Sequence, residues 1–173
     1  EAVQDVRAAV QFMKGKAAEF KVDPDRMAVM GDSAGAHLSM MVALAGEHEQ
    51  FKGGNASDPY GALSTKAKVA VGVYGVYDLY RQFCGDLSAR PRDSITEKFL
   101  GVSAIDDKRP YFEASPISYV SAKDNSTAVL LSWGTDDDVV DYREHSLKLL
   151  EAMKHAGVFV RTVAVDGAPH FWM

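Results

Sequence analysis

Residues 31–35 read Gly-Asp-Ser-Ala-Gly, which sets Ser33 between glycines two positions away on either side. A serine hydroxyl is a weak nucleophile until a base takes its proton, and that base needs an acid to hold its tautomer. Chemistry at Ser33 therefore calls for a histidine and a carboxylate from elsewhere in the chain. The sequence has five histidines. His37 lies four residues past Ser33 and reads as a packing or capping residue. His48 falls in a polar loop. His145 and His155 fall on one helical stretch, on its solvated side. His170 alone follows the C-terminal end of an apolar run, where sites in parallel sheets are built. The acid is expected at the end of another strand. Asp136, Asp137 and Asp138 follow the apolar run 129–133, and spacing alone does not choose among them. Asp32 adjoins the serine, but its side chain leaves the turn in another direction and reads as a structural hydrogen-bonder.

The elements that must position these groups are legible in the apolar pattern. Met27–Met30 is a short apolar run, read as a buried strand, and Ala36–Ala45 is apolar with good helix formers. A serine between a strand and a helix is held on a sharp, strained turn with its hydroxyl projecting from the sheet edge. A side chain at Gly31 or Gly35 is expected to collide with that turn. The Ala34 N–H then points where an oxyanion would form, aided by the positive end of the following helix.

Ala2, Val6, Ala9, Val10, Met13, Ala17 and Phe20 recur at spacings of three and four, an amphipathic helix over 1–20. Asp-Pro-Asp within 22–26 makes the turn into the first strand. Residues 46–66 form a long polar loop. Val69–Tyr74 and Val129–Trp133 are buried strands, 141–155 is a helix ended by Gly157, and 158–165 is the last strand. Between the second and third strands, 75–126 is an excursion with short helices at 94–100 and 107–114. Its aromatics, Tyr77, Tyr80, Phe83, Tyr111, Phe112 and Tyr119, suit either a cap over an apolar pocket or a small core of the excursion itself. Strands alternating with helices or long crossovers predict an α/β fold: a mostly parallel sheet with helices on both faces, in a single domain over 1–173 with a cap-like insertion around 76–126.

Composition narrows the function. The chain has 173 residues, 47% of them hydrophobic and 25% charged, with a net charge of −5. With no basic run, nucleic acid is not an expected partner. No apolar stretch is long enough to span a membrane. The single cysteine, Cys84, excludes an internal disulfide and argues against a thiolate metal site.

The order Ser33, then Asp136–Asp138, then His170 is that of α/β-hydrolases rather than of chymotrypsin or subtilisin. Asp-Pro-Asp-Arg-Met-Ala-Val-Met-Gly-Asp-Ser-Ala-Gly-Ala-His-Leu (23–38) resembles the elbow of the esterase/lipase branch that includes hormone-sensitive-lipase-like and feruloyl- or acetyl-xylan-esterase-like enzymes. Tyr-Gly-Val-Tyr-Asp-Leu (74–79) and Ala-Ser-Pro-Ile-Ser (114–118) are similar to the segments flanking its cap. Leu-Ser-Trp-Gly-Thr-Asp-Asp (131–137) resembles its acid loop, usually His-Gly-Thr-x-Asp, and that pattern selects Asp137. Ala36 and Trp133 depart from the branch, which often has Gly and His there.

The resemblance implies a serine esterase acting on a small-molecule carboxylic ester, with Ser33, Asp137 and His170 as its triad, Ala34 in the oxyanion hole, and no metal or organic cofactor. Asp32, Tyr77 and Trp172 are the candidate pocket residues. An amide hydrolase of the same fold and a non-catalytic binding member are the alternatives. The branch also carries a His-Gly-Gly-Gly-type loop that nothing here matches. The chain is thus expected to be an internal piece of a longer enzyme, with the strand at 27–31 exposed as a sheet edge open to self-association.

Overall fold

The computed structural model describes residues 1–53, 57–123 and 126–173. Four parallel strands form one sheet in the order β1 (Ala28–Asp32), β2 (Val69–Val73), β3 (Ala128–Gly134) and β4 (Val160–Val165). Spatial order follows chain order, so each strand is laid beside the one before it after a crossover. The parts of the expected loop at 54–56 and of the excursion at 124–125 lie outside the described residues.

Register explains which side chains meet. Val29, Ala70, Val129 and Val160 stand in line across the sheet. They join one core with Met40, Met41, Leu149 and Met153 from the helices α3 (Ala34–Ala45) and α7 (Ser146–His155). Met30, Val71, Leu130 and Arg161 stand in line on the opposite face. Met30 is 60% exposed there. Among the described residues, the helices that build this core thus gather on one face of the sheet. No helix is long and apolar enough to cross a membrane.

The N-terminal helix divides at Lys16 into α1 (Ala2–Gly15) and a single turn, α2 (Ala17–Phe20). Its buried face also differs from the apolar spacing: Val3, Arg7, Val10 and Gln11 face inward, while Ala9 is exposed. The reason is backbone satisfaction. Arg7 donates to the carbonyls of Gly46 (2.6 Å) and Phe51 (2.6 Å), and Gln11 to those of Gly61 (2.9 Å) and Leu63 (2.7 Å). The helix closes carbonyls at the end of α3 and in the loop beyond it, groups that would otherwise be buried unpaired.

The excursion is more helical than its prolines suggest. It holds α4 (Leu79–Ala89), α5 (Ile95–Leu100) and α6 (Arg109–Glu113). Helix α4 is absent from the sequence reading, yet its signal is present: the Asp78 carboxylate accepts from the Arg81 N–H at 3.0 Å, an N-cap ahead of Leu79 and Phe83. Leu79, Phe83, Ala104 and Tyr111 form a second, separate core. Phe83 and Tyr111, at least, are the excursion's own interior.

Strand β1 ends the sheet, with a row of backbone groups facing no neighbour among the described strands and Met30 bare beside it. Such an edge is a template for pairing with another chain. Residues 1–173 expressed alone should therefore associate at micromolar concentration in light scattering, and Met30→Lys should shift them toward monomer. A monodisperse wild-type monomer would contradict this.

Candidate active site

Ser33 sits between β1 and α3 with φ 48° and ψ −117°, a conformation that L-residues resist. Its N–H donates to the Val73 carbonyl at 2.9 Å, which ties the turn to β2. Gly31 is indispensable to this turn, because a Cβ there would lie 2.3 Å from the carbonyl carbon and oxygen of Gly35. The expected collision at Gly35 is not found: the nearest atom to its Cβ position is Asp32 Oδ1 at 3.9 Å. The turn passes over Gly31, so only the lower glycine is crowded.

The ends of β3 and β4 bring the partners. Ser33 Oγ lies 2.9 Å from His170 Nε2, and His170 Nδ1 lies 2.8 Å from Asp137 Oδ2. The side chains of His170 and Asp137 are 2% and 1% exposed. The other carboxylate oxygen of Asp137 accepts from the N–H groups of Val139 (2.9 Å) and Val140 (2.8 Å). Asp136 and Asp138 are exposed. The structure thus brings together Ser33, His170 and, of the three aspartates, Asp137.

The loops carrying Asp137 and His170 are stitched to each other. Gly134 lets them meet, since a Cβ there would lie 2.0 Å from the Ala168 carbonyl oxygen. The Asp136 N–H donates to that same carbonyl (3.1 Å), the Thr135 N–H to Val165 O (3.1 Å), and the Gly167 N–H to Thr135 Oγ1 (2.8 Å). Phe171 has φ 58° and packs edge-on against the His170 ring at 4.2 Å.

Tyr74 is the residue that the sequence reading missed at this site. It follows β2 with φ 38°, is 2% exposed, and lies 4.7 Å from the His170 ring. Its hydroxyl donates to Asp32 Oδ2 at 3.4 Å. Asp32 is thus a hydrogen-bond partner at the elbow and is not among the residues that bound the hollow beside Ser33. The clue to Tyr74 was its place at the end of a buried strand, the same place that marks Asp137 and His170. Trp172 is half-buried, with its ring 6.0 Å from Tyr74.

Tyr77 is corrected outright: it is fully buried in the core and does not reach the pocket. Its ring fills the space two glycines leave open. A Cβ at Gly72 would lie 2.2 Å from the Tyr77 hydroxyl, and one at Gly75 would lie 2.6 Å from it. A hollow of about 180 Å³ lies beside Ser33, bounded also by Ala34, His37, Leu38, Val76, Leu79, Gln82, Ile95, Thr96, Phe99, Val139 and Val140. Hollows of about 480 Å³ and 420 Å³ open elsewhere, and neither includes Ser33.

Two buried histidines support the site without joining the row. His37 donates from Nε2 to the Ala114 carbonyl at 2.7 Å. His145, expected in solvent, is 2% exposed. Helix α7 begins only at Ser146, so His145 precedes it and turns inward. Its Nδ1 accepts from the N–H groups of Tyr77 (3.2 Å) and Asp78 (3.4 Å), which requires the neutral ring.

The sheet, the strand–serine–helix turn and the placement of the partners at strand ends define an α/β-hydrolase. The chain belongs to the BD-FAE family, whose model matches residues 1–153. That span includes Ser33 and Asp137 but not His170. The chain is 31% identical to Esterase LipQ of Mycobacterium tuberculosis over 122 residues, 70% of this chain and 27% of that protein. It is 31% identical to Esterase LipC of the same organism over 139 residues, 80% of this chain and 32% of that protein. The chain thus spans about a third of the length of these relatives. Among solved structures, the fold matches Thermogutta terrifontis esterase 2 with propionate bound, at a TM-score of 0.73 and 25% identity, over 98% of this chain and 55% of that one.

Burial pushes His145 down to about 4 from an ordinary 6.5, against the pull of the Asp78, Asp141, Asp137 and Asp86 carboxylates. Below pH 6.5 the unfolded chain takes up a proton that the folded chain refuses until about pH 4. Stability should therefore fall as pH falls through that window, by about 2 kcal/mol at about pH 5. His37, lowered by burial in the same sense, adds to the slope. Melting temperatures from about pH 7 to about pH 5 should drop less in His145→Gln than in wild type; equal slopes would show that His145 is not the buried titrating group.

Proposed function

We propose that this chain carries the reacting centre of a serine esterase that cleaves a small carboxylic ester through an acyl-enzyme. The observation that carries this reading is the buried row Ser33–His170–Asp137, with both hydrogen bonds under 3.0 Å. Ser33 Oγ attacks the ester carbonyl and gives its proton to His170 Nε2. The imidazolium keeps its Nδ1–H on Asp137, whose charge stabilises it and fixes the tautomer. The oxyanion accepts from the Ala34 N–H at the start of α3, where the first N–H groups of a helix have no partner within it. His170 then returns the proton to the leaving alcohol. A water activated by the same Nε2 attacks the acyl group and frees the acid and Ser33.

The names of the relatives, esterases LipQ and LipC and an esterase structure with propionate bound, support an ester as substrate. The excursion 76–126 acts as a cap, since α4 and α5 contribute Leu79, Ile95, Thr96 and Phe99 to the hollow.

In the full-length protein, Ser33→Ala should lower kcat on p-nitrophenyl acetate by about 10⁶. Asp137→Asn should lower it by about 10⁴ through the wrong tautomer, and Asp136→Asn and Asp138→Asn far less. A tenth of the wild-type rate surviving in Ser33→Ala would end this reading. A larger loss at Asp136 or Asp138 than at Asp137 would reassign the acid.

A further inference from the structure

The hollow beside Ser33 has a lining that the hydrogen-bonded row does not require. Ile95 and Phe99 stand one turn apart on α5, each 49% exposed, and both face the hollow with Val76 and Leu79. Apolar side chains left half-bare around a reactive hydroxyl gain by taking an apolar partner out of water.

This wall is held in place rather than loosely draped. Asp86 is fully buried, and its carboxylate accepts from the Ile95 N–H (3.1 Å), from Gln82 Nε2 (3.0 Å) and from the Arg90 guanidinium (2.9 Å). The first residue of α5 is thereby tied to α4. On the inner side the His37 ring, locked by its bond to the Ala114 carbonyl, meets Phe99 edge-on at 5.8 Å.

Which half of an ester enters follows from the position of the base. His170 must hand its proton to the leaving oxygen, so the alcohol departs on the side of Ser33 that faces Nε2. The hollow is bounded by Ser33 and Ala34 but not by His170. A carbonyl oxygen resting at the Ala34 N–H therefore directs its acyl chain into the hollow.

We propose that Ile95 and Phe99 set the acyl-chain preference of the reaction, the hollow they line beside Ser33 taking an unbranched aliphatic acyl group. This rests on Ser33 as the nucleophile. The test is kcat/KM for the full-length protein on two series: p-nitrophenyl esters from acetate to dodecanoate, and acetates of alcohols of increasing length. Ratios within a series cancel any loss of active protein. Wild-type kcat/KM should fall toward the long end of the acyl series. Phe99→Ala should raise decanoate relative to butyrate about tenfold or more, and Ile95→Trp should lower hexanoate relative to acetate by a similar factor. Neither should reorder the alcohol series. An acyl profile unchanged in both variants, or a shift confined to the alcohol series, would overturn the assignment while Ser33→Ala still abolishes turnover. Activity that survives Ser33→Ala would instead overturn the reading on which the proposal stands.

Discussion

The site depends on one backbone conformation that its residue resists. Ser33 at φ 48° and ψ −117° carries strain on the order of 1–3 kcal/mol. It persists because the surroundings leave the chain no other course. The turn crosses Gly31 so closely that a methyl group there would overlap Gly35. The Ser33 N–H is tied to β2, and α3 is anchored by Met40 and Met41, both without exposed surface. The consequence is a hydroxyl held off the end of the sheet, facing the loops that leave the neighbouring strands. Each strand of the parallel sheet then delivers a residue to the same end: Ser33 after β1, Tyr74 after β2, Asp137 after β3 and His170 after β4.

Glycine serves these loops in two distinct ways. At Gly31 and Gly134 it permits backbone to pass close to backbone, which builds the elbow and joins the Asp137 loop to the His170 loop. At Gly72 and Gly75 it leaves room for a side chain, and the Tyr77 ring occupies it. That burial draws the start of the excursion under the sheet end and sets the Tyr77 and Asp78 N–H groups against His145. The excursion is thereby tied to His145, and the Asp86 carboxylate links it onward to the first residue of α5. Ser33, Asp137 and the wall formed by Ile95 and Phe99 are in this way parts of one connected framework rather than separate loops.

Local signals made much of this legible. The elbow, all four strands, their parallel arrangement and the choice of His170 follow from a short motif and from apolar runs whose ends mark the site. Asp137 was singled out from its neighbours only by the resemblance of the acid loop, because three successive aspartates have no spacing that distinguishes them; burial does, leaving Asp136 and Asp138 exposed. What escaped was set by tertiary contact. Tyr77 looked like a pocket aromatic because nothing local says that Gly72 and Gly75 open a slot for it. His145 looked solvated because the helix was started several residues too early, and a shift of that size moves a side chain from one face to the interior. Arg7 and Gln11 broke the apolar face of α1 because the carbonyls they satisfy are about 40 to 50 residues away in the chain.

The central claim is that Ser33 is the one serine made nucleophilic by this framework. Its most direct test is to label the full-length protein with a fluorophosphonate and map the adduct by tandem mass spectrometry. Trypsin should release residues 27–52, which hold both Ser33 and Ser39. The account predicts a stoichiometric adduct on Ser33, none on Ser39, and loss of labelling when His170 is replaced by Ala. An adduct on another residue, or labelling that is indifferent to His170, would contradict it.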